Sequence, residues 1–267
     1  MKPIVFATSL RTMRRSFLWW SLGIVGMVAM MTAVFPSVRG NEALNRYVQD
    51  YPEALKRLFS ISGNLDYTSA SGYLGTELFS FMVPLLLLIA AIAAGSAAIA
   101  GEEDRGTLDL LLSLPITRPR LVLEKYAALV AESVGLGLVL WASLWVGARA
   151  VGMEIAVSKL AAATVDAVAL AIAYGGVALL LGCATGRRGL AIGLTAAAAV
   201  AAYLVNSIAP LVGGLDLLQK LSPFYHYAIG DPLRAGLAVS HLLVLLAIAA
   251  VTAAAAAVAV GRRDLGT

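Results

Sequence analysis

Hydrophobic residues along this chain are gathered into six long blocks separated by polar segments, without the alternation typical of a half-buried β-strand. Each block is long enough to cross a bilayer as a helix, which takes about 20 apolar residues. Lipid offers the backbone no hydrogen-bond partner, so such blocks are expected to be helical. The pattern predicts an all-α polytopic membrane protein with spans at residues 17–35, 78–100, 126–146, 160–184, 190–208 and 242–260.

Polar or broken segments frame these spans. Residues 1–16 combine basic side chains with an apolar stripe and predict an amphipathic interfacial helix. Residues 36–77 predict a long external loop that contains one surface helix. Residues 209–241 alternate short apolar runs with Gly and Pro, which favours a hairpin-like region of short helices before the last span. No linker divides the chain, so we expect one domain over residues 1–267.

Composition strengthens the membrane assignment. Of the 267 residues, 60% are hydrophobic and 13% are charged, whereas soluble domains carry about 25% charged residues. Lysine and arginine are more frequent on the side that holds the N-terminus, and the positive-inside rule then puts both termini in the cytoplasm. The cations are not grouped with aromatic residues as a nucleic-acid surface requires. We therefore expect contact with membrane lipids and no nucleic-acid partner.

The chain lacks the short motifs of the common enzyme classes. It contains no G-x-x-x-x-G-K-[ST] phosphate loop, no G-x-S-x-G nucleophile elbow and no H-E-x-x-H zinc helix. The two histidines, His226 and His241, are isolated in sequence and have no cysteine nearby, which predicts interfacial polar residues rather than a metal site. We expect no catalytic residue, cofactor or metal in this chain.

Some residues within the predicted spans are unusual for a membrane helix. Glu132 lies two turns into the third span and Asp166 lies two turns into the fourth. Acids inside a membrane usually face protein or a water-filled cavity, so these are candidates for substrate or proton handling. The alternative is a hydrogen-bonded polar residue close to the interface. In the second span, Pro84 predicts a kink, and the small residues at 90–100 predict a close helix-packing face.

The polar segment at residues 101–125 interrupts the apolar pattern most sharply. Three acids open it, and acids favour the N-terminus of a helix through the macrodipole. Leu108, Leu111 and Leu112 would form an apolar ridge on that helix, and Pro115 would end it. An exposed ridge framed by charge suits a groove on another protein. The alternative is a helix that lies on the membrane surface.

The same segment resembles the signature of type-2 ATP-binding-cassette (ABC) exporter permeases. In that family an acidic stretch is followed by Gly-Thr-Leu, a leucine pair, a proline, a basic residue and a lysine that enters the third span. Here these features occur between Gly101 and Lys125. The resemblance assigns ATPase docking to Glu102, Glu103, Asp104, Arg105, Gly106, Thr107, Leu108, Leu111, Leu112, Pro115 and Arg118.

The resemblance implies a six-span permease subunit in the plasma membrane of a prokaryote, paired with a second copy and two cytoplasmic ATPase subunits. Those ATPases would bind ATP and Mg²⁺, and residues 102–114 would be the coupling helix that carries their motion into the spans. Drugs, peptides, or amphipathic or lipid-like molecules would be exported between the two permeases, beside the small-residue half of the second span and the fifth span. The long first external loop makes a polysaccharide substrate less expected.

The residues also leave room for other functions. Asp166 and Glu132 would suit an ion- or proton-coupled secondary transporter, which needs no ATPase. The scarcity of charge within the spans and the lack of an internal repeat speak against that hypothesis. A membrane-bound scaffold or enzyme would need a catalytic set that the sequence does not contain.

Overall fold

The computed structural model of the chain describes residues 4–52, 55–56, 66–108, 116–212 and 214–262. Every regular element in these ranges is helical. The helices, in chain order, are α1 (Ile4–Val38), α2 (Glu42–Gln49), α3 (Ala70–Ala98), α4 (Ala100–Asp104), α5 (Arg118–Ala150), α6 (Val157–Thr185), α7 (Arg188–Ile208), α8 (Asp216–Leu221), α9 (Pro223–Ala228) and α10 (Val239–Arg262). Six of them, α1, α3, α5, α6, α7 and α10, are long and apolar enough to cross a membrane. The prediction of an all-α, six-span protein is confirmed.

Helix α6 forms the centre of the bundle. Within its most apolar window 78% of residues are buried, against 17–61% for the other spans, and it packs against α3, α5, α7 and α10. Glycine permits the closest approaches: a Cβ on Gly95 would lie 2.2 Å from the carbonyl oxygen of Gly175, and one on Gly176 would lie 2.3 Å from the Thr252 hydroxyl. The predicted packing face at residues 90–100 is therefore confirmed, and its partner is α6.

The start of the chain differs from the separate interfacial helix that the sequence predicted. Residues 4–16 are helical, but they continue into the first span without a break and form one helix of 35 residues. At a rise of 1.5 Å per residue this helix is about 52 Å long, whereas the hydrocarbon core of a bilayer is about 30 Å thick. The basic start is thus an extension of the span rather than a separate element. Helix α1 packs along α5, where the ring of Phe17 lies against Gly135.

Helix α3 begins earlier than predicted, at Ala70, and its first part is irregular. The stretch Leu74–Met82 is π-helical, and α-helical geometry resumes next to Pro84. Proline lacks an N–H and its ring clashes with the carbonyl one turn earlier, which disturbs the ladder of hydrogen bonds at this point. The π-helical stretch therefore stands where the sequence predicted a simple kink. Its Phe79 carbonyl accepts a hydrogen bond of 2.6 Å from the Tyr227 hydroxyl.

The two ends of the bundle are distinguished by their contacts. One buried cluster joins the start of α1, the segment after α4, and the ends of α6 and α10 through Val5, Leu108, Leu179 and Val260. We call this end the terminal face. At the opposite end, the far face, the Lys159 ammonium donates to the Arg234 carbonyl at 2.6 Å.

The far face carries the short helices predicted before the last span. A 3₁₀ turn at Ala209–Leu211 follows α7, and α8 and α9 pack against each other and against α7. Ser222 caps the start of α9 and donates to the Ala202 carbonyl at 2.8 Å. The prediction that the two histidines are isolated is wrong: His226 and His241 lie side by side, with 2.9 Å between their Nδ1 atoms. Residues 226 and 241 belong to different helices, which pack against each other at this face.

Candidate functional site

The segment that links the second and third spans is a tight turn on the terminal face. Helix α4 ends at Asp104, and Gly106 follows with a φ of 67°, a left-handed conformation that glycine adopts without strain. The Gly106 N–H donates to the Glu103 carbonyl at 2.9 Å, and the Thr107 N–H donates to the Glu102 carbonyl at 2.9 Å. Glu102 and Glu103 lie in the first turn of this short helix, but the helix ends at Asp104, so the predicted docking helix does not run unbroken from residue 102 to residue 114. Glycine at position 106 lets the chain reverse direction after α4.

The Glu102 carboxylate makes several polar contacts that hold this turn in place. Its carboxylate accepts hydrogen bonds from the Lys125 ammonium at 2.7 Å and from the Thr107 hydroxyl at 2.5 Å, and Arg105 lies 3.5 Å away. Burial alone would raise the pKa of Glu102, but the bonds from Lys125 and Thr107 outweigh burial and lower that pKa below 4.5. The side chains of Glu102 and Lys125 are only 17% and 10% exposed. A largely buried ion pair thus fixes the turn to the third span.

Leu108 does not lie on an exposed ridge as predicted. It is 5% exposed and belongs to the buried cluster of the terminal face, together with Ile99, Leu121 and Cys183. Burial of a leucine side chain stabilises a structure by about 1.5–3 kcal/mol. Leu108 therefore holds the turn against the bundle, and its side chain is not available to a partner.

The other predicted docking residues differ in how far they are exposed. Asp104, Arg105 and Gly106 are exposed, and Glu103, Thr107 and Arg118 are half-buried. Leu111, Leu112 and Pro115 lie outside the described residues. Within the described residues, the surface that another protein could reach on this turn is therefore polar and charged.

Glu124, for which sequence analysis predicted no role, binds the start of the first helix. Its carboxylate accepts from the backbone N–H groups of Val5 and Phe6 at 3.1 and 3.2 Å, and from Arg120 at 3.0 Å. The first N–H groups of a helix lack partners within the helix, and an anion at that end is stabilised by the helix dipole. An acid beside a lysine at the start of a span was the available signal, but nothing in the sequence showed which helix end it would meet.

The family profile described as "ABC-2 family transporter protein" matches residues 4–265, nearly the whole chain. The chain belongs to the ABC-2 transporter family. With its six apolar helices, this ABC-2 family member is a multi-pass transmembrane permease subunit of an ABC transporter.

Two curated relatives are similar to part of this ABC-2 protein. The "Probable ABC transporter permease protein NosY" of Pseudomonas aeruginosa is 34% identical over 127 residues, which are 46% of this chain and 41% of that relative. The protein of the same description in Stutzerimonas stutzeri is 34% identical over 97 residues, which are 36% of this chain and 31% of that relative. The matched stretches thus span less than half of each relative.

The two acids within the spans of this ABC-2 protein are buried and separate. Glu132 is 7% exposed and Asp166 is 3% exposed. In the described part of the chain, neither carboxylate forms a hydrogen bond or an ion pair, with the other or with any other residue. Within the described residues, Glu132 and Asp166 are therefore not the hydrogen-bonded acids of the alternative interpretation. The structure also does not bring the two acids together.

Proposed function

We propose that this chain is the permease subunit of an ATP-driven exporter, and that the turn after α4 receives the motion of a separate cytoplasmic ATPase. The observation that carries the proposal is the rigid attachment of this turn, through the 2.7 Å bond between Glu102 and Lys125 and the buried side chain of Leu108. A loose loop would absorb a displacement, whereas a turn clamped to the third span passes it on.

The docking surface follows from which side chains the turn leaves exposed. Asp104 and Arg105 project into solvent, so they would meet the ATPase directly. Leu111 and Leu112 remain proposed apolar contacts on the basis of the family signature. In this arrangement Leu108 holds the turn against the bundle by its burial, and Glu102 holds it to α5 by its bond with Lys125.

A second copy of the chain would complete the transporter. Helix α7 has only 22% of its most apolar window buried, and Leu194 and Val200 on it are 51% and 59% exposed. We infer that the outer face of α7 faces the other permease and borders the export path. The small-residue half of α3 is already used for packing against α6, which supports α7 over α3 as the wall of the path. Drugs, peptides, and amphipathic or lipid-like molecules are the substrate classes expected.

Copurification with the ATPase tests the docking turn. The full-length chain is coexpressed with its ATPase, and the ATPase retained on the membrane fraction and after affinity purification is measured. Leu111→Asp should abolish association, because a charge would enter the apolar contact. The matched control is Leu217→Asp on α8, a leucine that is 72% exposed on the far face; it should leave association unchanged. Normal ATPase yield with Leu111→Asp would contradict the docking assignment.

An ion- or proton-coupled transporter is the second candidate, and one observation favours it. Glu132 and Asp166 are buried without hydrogen-bond partners in the described part of the chain, and such acids often mark ion pathways. Proteoliposomes that hold the chain alone, with an imposed proton gradient and a pH dye inside, test it. The exporter proposal expects no proton flux above that of empty liposomes. A flux without ATP that Asp166→Asn and Glu132→Gln both abolish would establish the alternative.

A further inference from the structure

The only two histidines of the 267-residue chain meet on the far face. His226 lies in α9 and His241 lies in the first turn of α10, and their Nδ1 atoms are 2.9 Å apart. The rings are tilted by 40° with centroids 5.1 Å apart, and both pack edge-on against Tyr225. Both imidazoles are half-buried, so an ion from the aqueous side can reach them.

The hydrogen bonds of His226 determine which of its nitrogens carries a proton. Its Nε2 is 3.0 Å from the Lys220 carbonyl oxygen, and a carbonyl only accepts, so Nε2 must donate. A neutral His226 therefore presents the lone pair of Nδ1 toward His241. A metal-binding histidine usually donates its other N–H to a backbone carbonyl or carboxylate in this way, which fixes the tautomer and the ring orientation.

The separation of the two Nδ1 atoms also fits a metal ion. Imidazole nitrogens bind transition-metal ions at about 2.0–2.1 Å, and at that distance a separation of 2.9 Å corresponds to a nitrogen–metal–nitrogen angle of about 90°. An angle near 90° is typical of the tetragonal sites of Cu²⁺ and Ni²⁺. In the metal-free pair His241 Nδ1–H donates to His226 Nδ1. When that proton moves to Nε2 of His241, both Nδ1 lone pairs are available to one ion.

We propose that His226 and His241 bind one divalent late-transition-metal ion, with Cu²⁺ the strongest ligand for such nitrogens. No third histidine, cysteine or carboxylate joins the pair among the described residues, so water fills the remaining positions and the ion exchanges readily. The ion bridges α9 to α10. Helix α9 is also bonded to α3 through Tyr227, so the ion braces the short helices of the far face against two spans. This site does not depend on the proposed export function.

Electron paramagnetic resonance of bound Cu²⁺ tests the site. The full-length chain, purified through a tag without histidine and placed in lipid nanodiscs, is titrated with Cu²⁺ up to one equivalent. Because the chain holds no other histidine, imidazole nitrogen couplings can arise only from this pair. The expected spectrum has couplings from two imidazole nitrogens at one ion per chain.

Substitutions separate metal binding from other roles of the pair. His226→Gln and His241→Gln should each remove one nitrogen coupling and lower Cu²⁺ affinity more than the loss of an outer-shell partner, which costs about 10–100-fold. Tyr225→Phe keeps both imidazoles and should bind Cu²⁺ as the natural chain does. Thermal unfolding of each variant without metal checks the fold. Equal Cu²⁺ binding by the natural chain and the double glutamine variant would overturn the proposal, as would a pair that shares a proton but shows no nitrogen coupling to Cu²⁺.

Discussion

Removal of Lys125 offers the sharpest test of how the turn after α4 is held. In Lys125→Met the carboxylate of Glu102 keeps its buried position but loses the ammonium at 2.7 Å. Loss of one partner from a fully buried ion pair costs about 3–5 kcal/mol, because the other charge is left uncompensated. Both side chains keep some exposure to water, 17% and 10%, and Arg105 at 3.5 Å still partly compensates the charge of Glu102, so we expect the lower end, about 3 kcal/mol. At 1.4 kcal/mol for each factor of ten, release of the turn becomes about 100-fold more frequent.

Hydrogen–deuterium exchange of the full chain in nanodiscs measures this release directly. The N–H groups of Gly106 and Thr107 are bonded within the turn at 2.9 Å, so their exchange reports its opening. The lowered pKa of Glu102 means that the pair contributes fully above pH 4.5 and is lost as the pH falls through that lowered pKa. Exchange between pH 6 and 8 therefore samples the intact pair in the natural chain.

A matched control breaks an exposed ion pair of the same type. Arg46 and Glu42 are 3.1 Å apart, but their side chains are 78% and 84% exposed. Arg46→Met should cost only about 0.2–1 kcal/mol, since exposed pairs contribute little, and it should leave the turn unchanged. Removing both charges, with Glu102→Gln and Lys125→Met together, should restore much of the protection. Exchange at Gly106 and Thr107 that Lys125→Met alters by less than about threefold would refute the clamp.

Three further predictions concern packing and the far face. Gly95→Ala should destabilise the chain by about 1–3 kcal/mol, because the new methyl meets a backbone carbonyl of α6 at 2.2 Å. Thermal unfolding measures this change. The control is Gly26→Ala, which has open space around the new methyl and should stabilise the chain by up to about 1 kcal/mol. Tyr227→Phe leaves a buried π-helical carbonyl without its 2.6 Å donor and should cost about 1–3 kcal/mol, whereas Tyr225→Phe should be nearly neutral in the same assay. Burial lowers the pKa of His226 below 6.5. Its neutral form therefore stabilises the far face above pH 6.5, and that contribution falls as the pH drops toward the lowered pKa. Amide exchange of α9 should rise between pH 7 and pH 5, and His226→Gln should remove that rise.

The six spans could be predicted because a membrane span requires only an apolar helix of sufficient length, and each hydrophobic block meets that requirement within its own sequence. The start of α3 was missed because its first residues are polar or small. Tyr73 and Leu74 are nevertheless buried there, and the Tyr73 hydroxyl donates to the Met31 carbonyl at 3.1 Å. Hydropathy measures what a residue prefers, whereas this segment is buried by contact with α1.

The candidate site shows the same division between local and long-range information. The sequence identified the segment that forms the turn, because its charges and glycine are consecutive. It could not show that Glu102 meets Lys125, since that pairing depends on how α4 and α5 pack, nor that Leu108 turns inward. The two histidines were judged isolated because 15 positions separate them, and only the packing of α9 against α10 joins them.

Neighbouring residues at the start of α5 have one further consequence. Lys125 holds the turn after α4, and Glu124 beside it holds the first amide groups of α1. A displacement of the turn is thus passed to α5 and α1 through two neighbouring residues. Since α1 packs along α5 and α5 packs on α6, α1 and α5 would move together, and their displacement relative to the rest of the bundle would occur at the contact of α5 with α6.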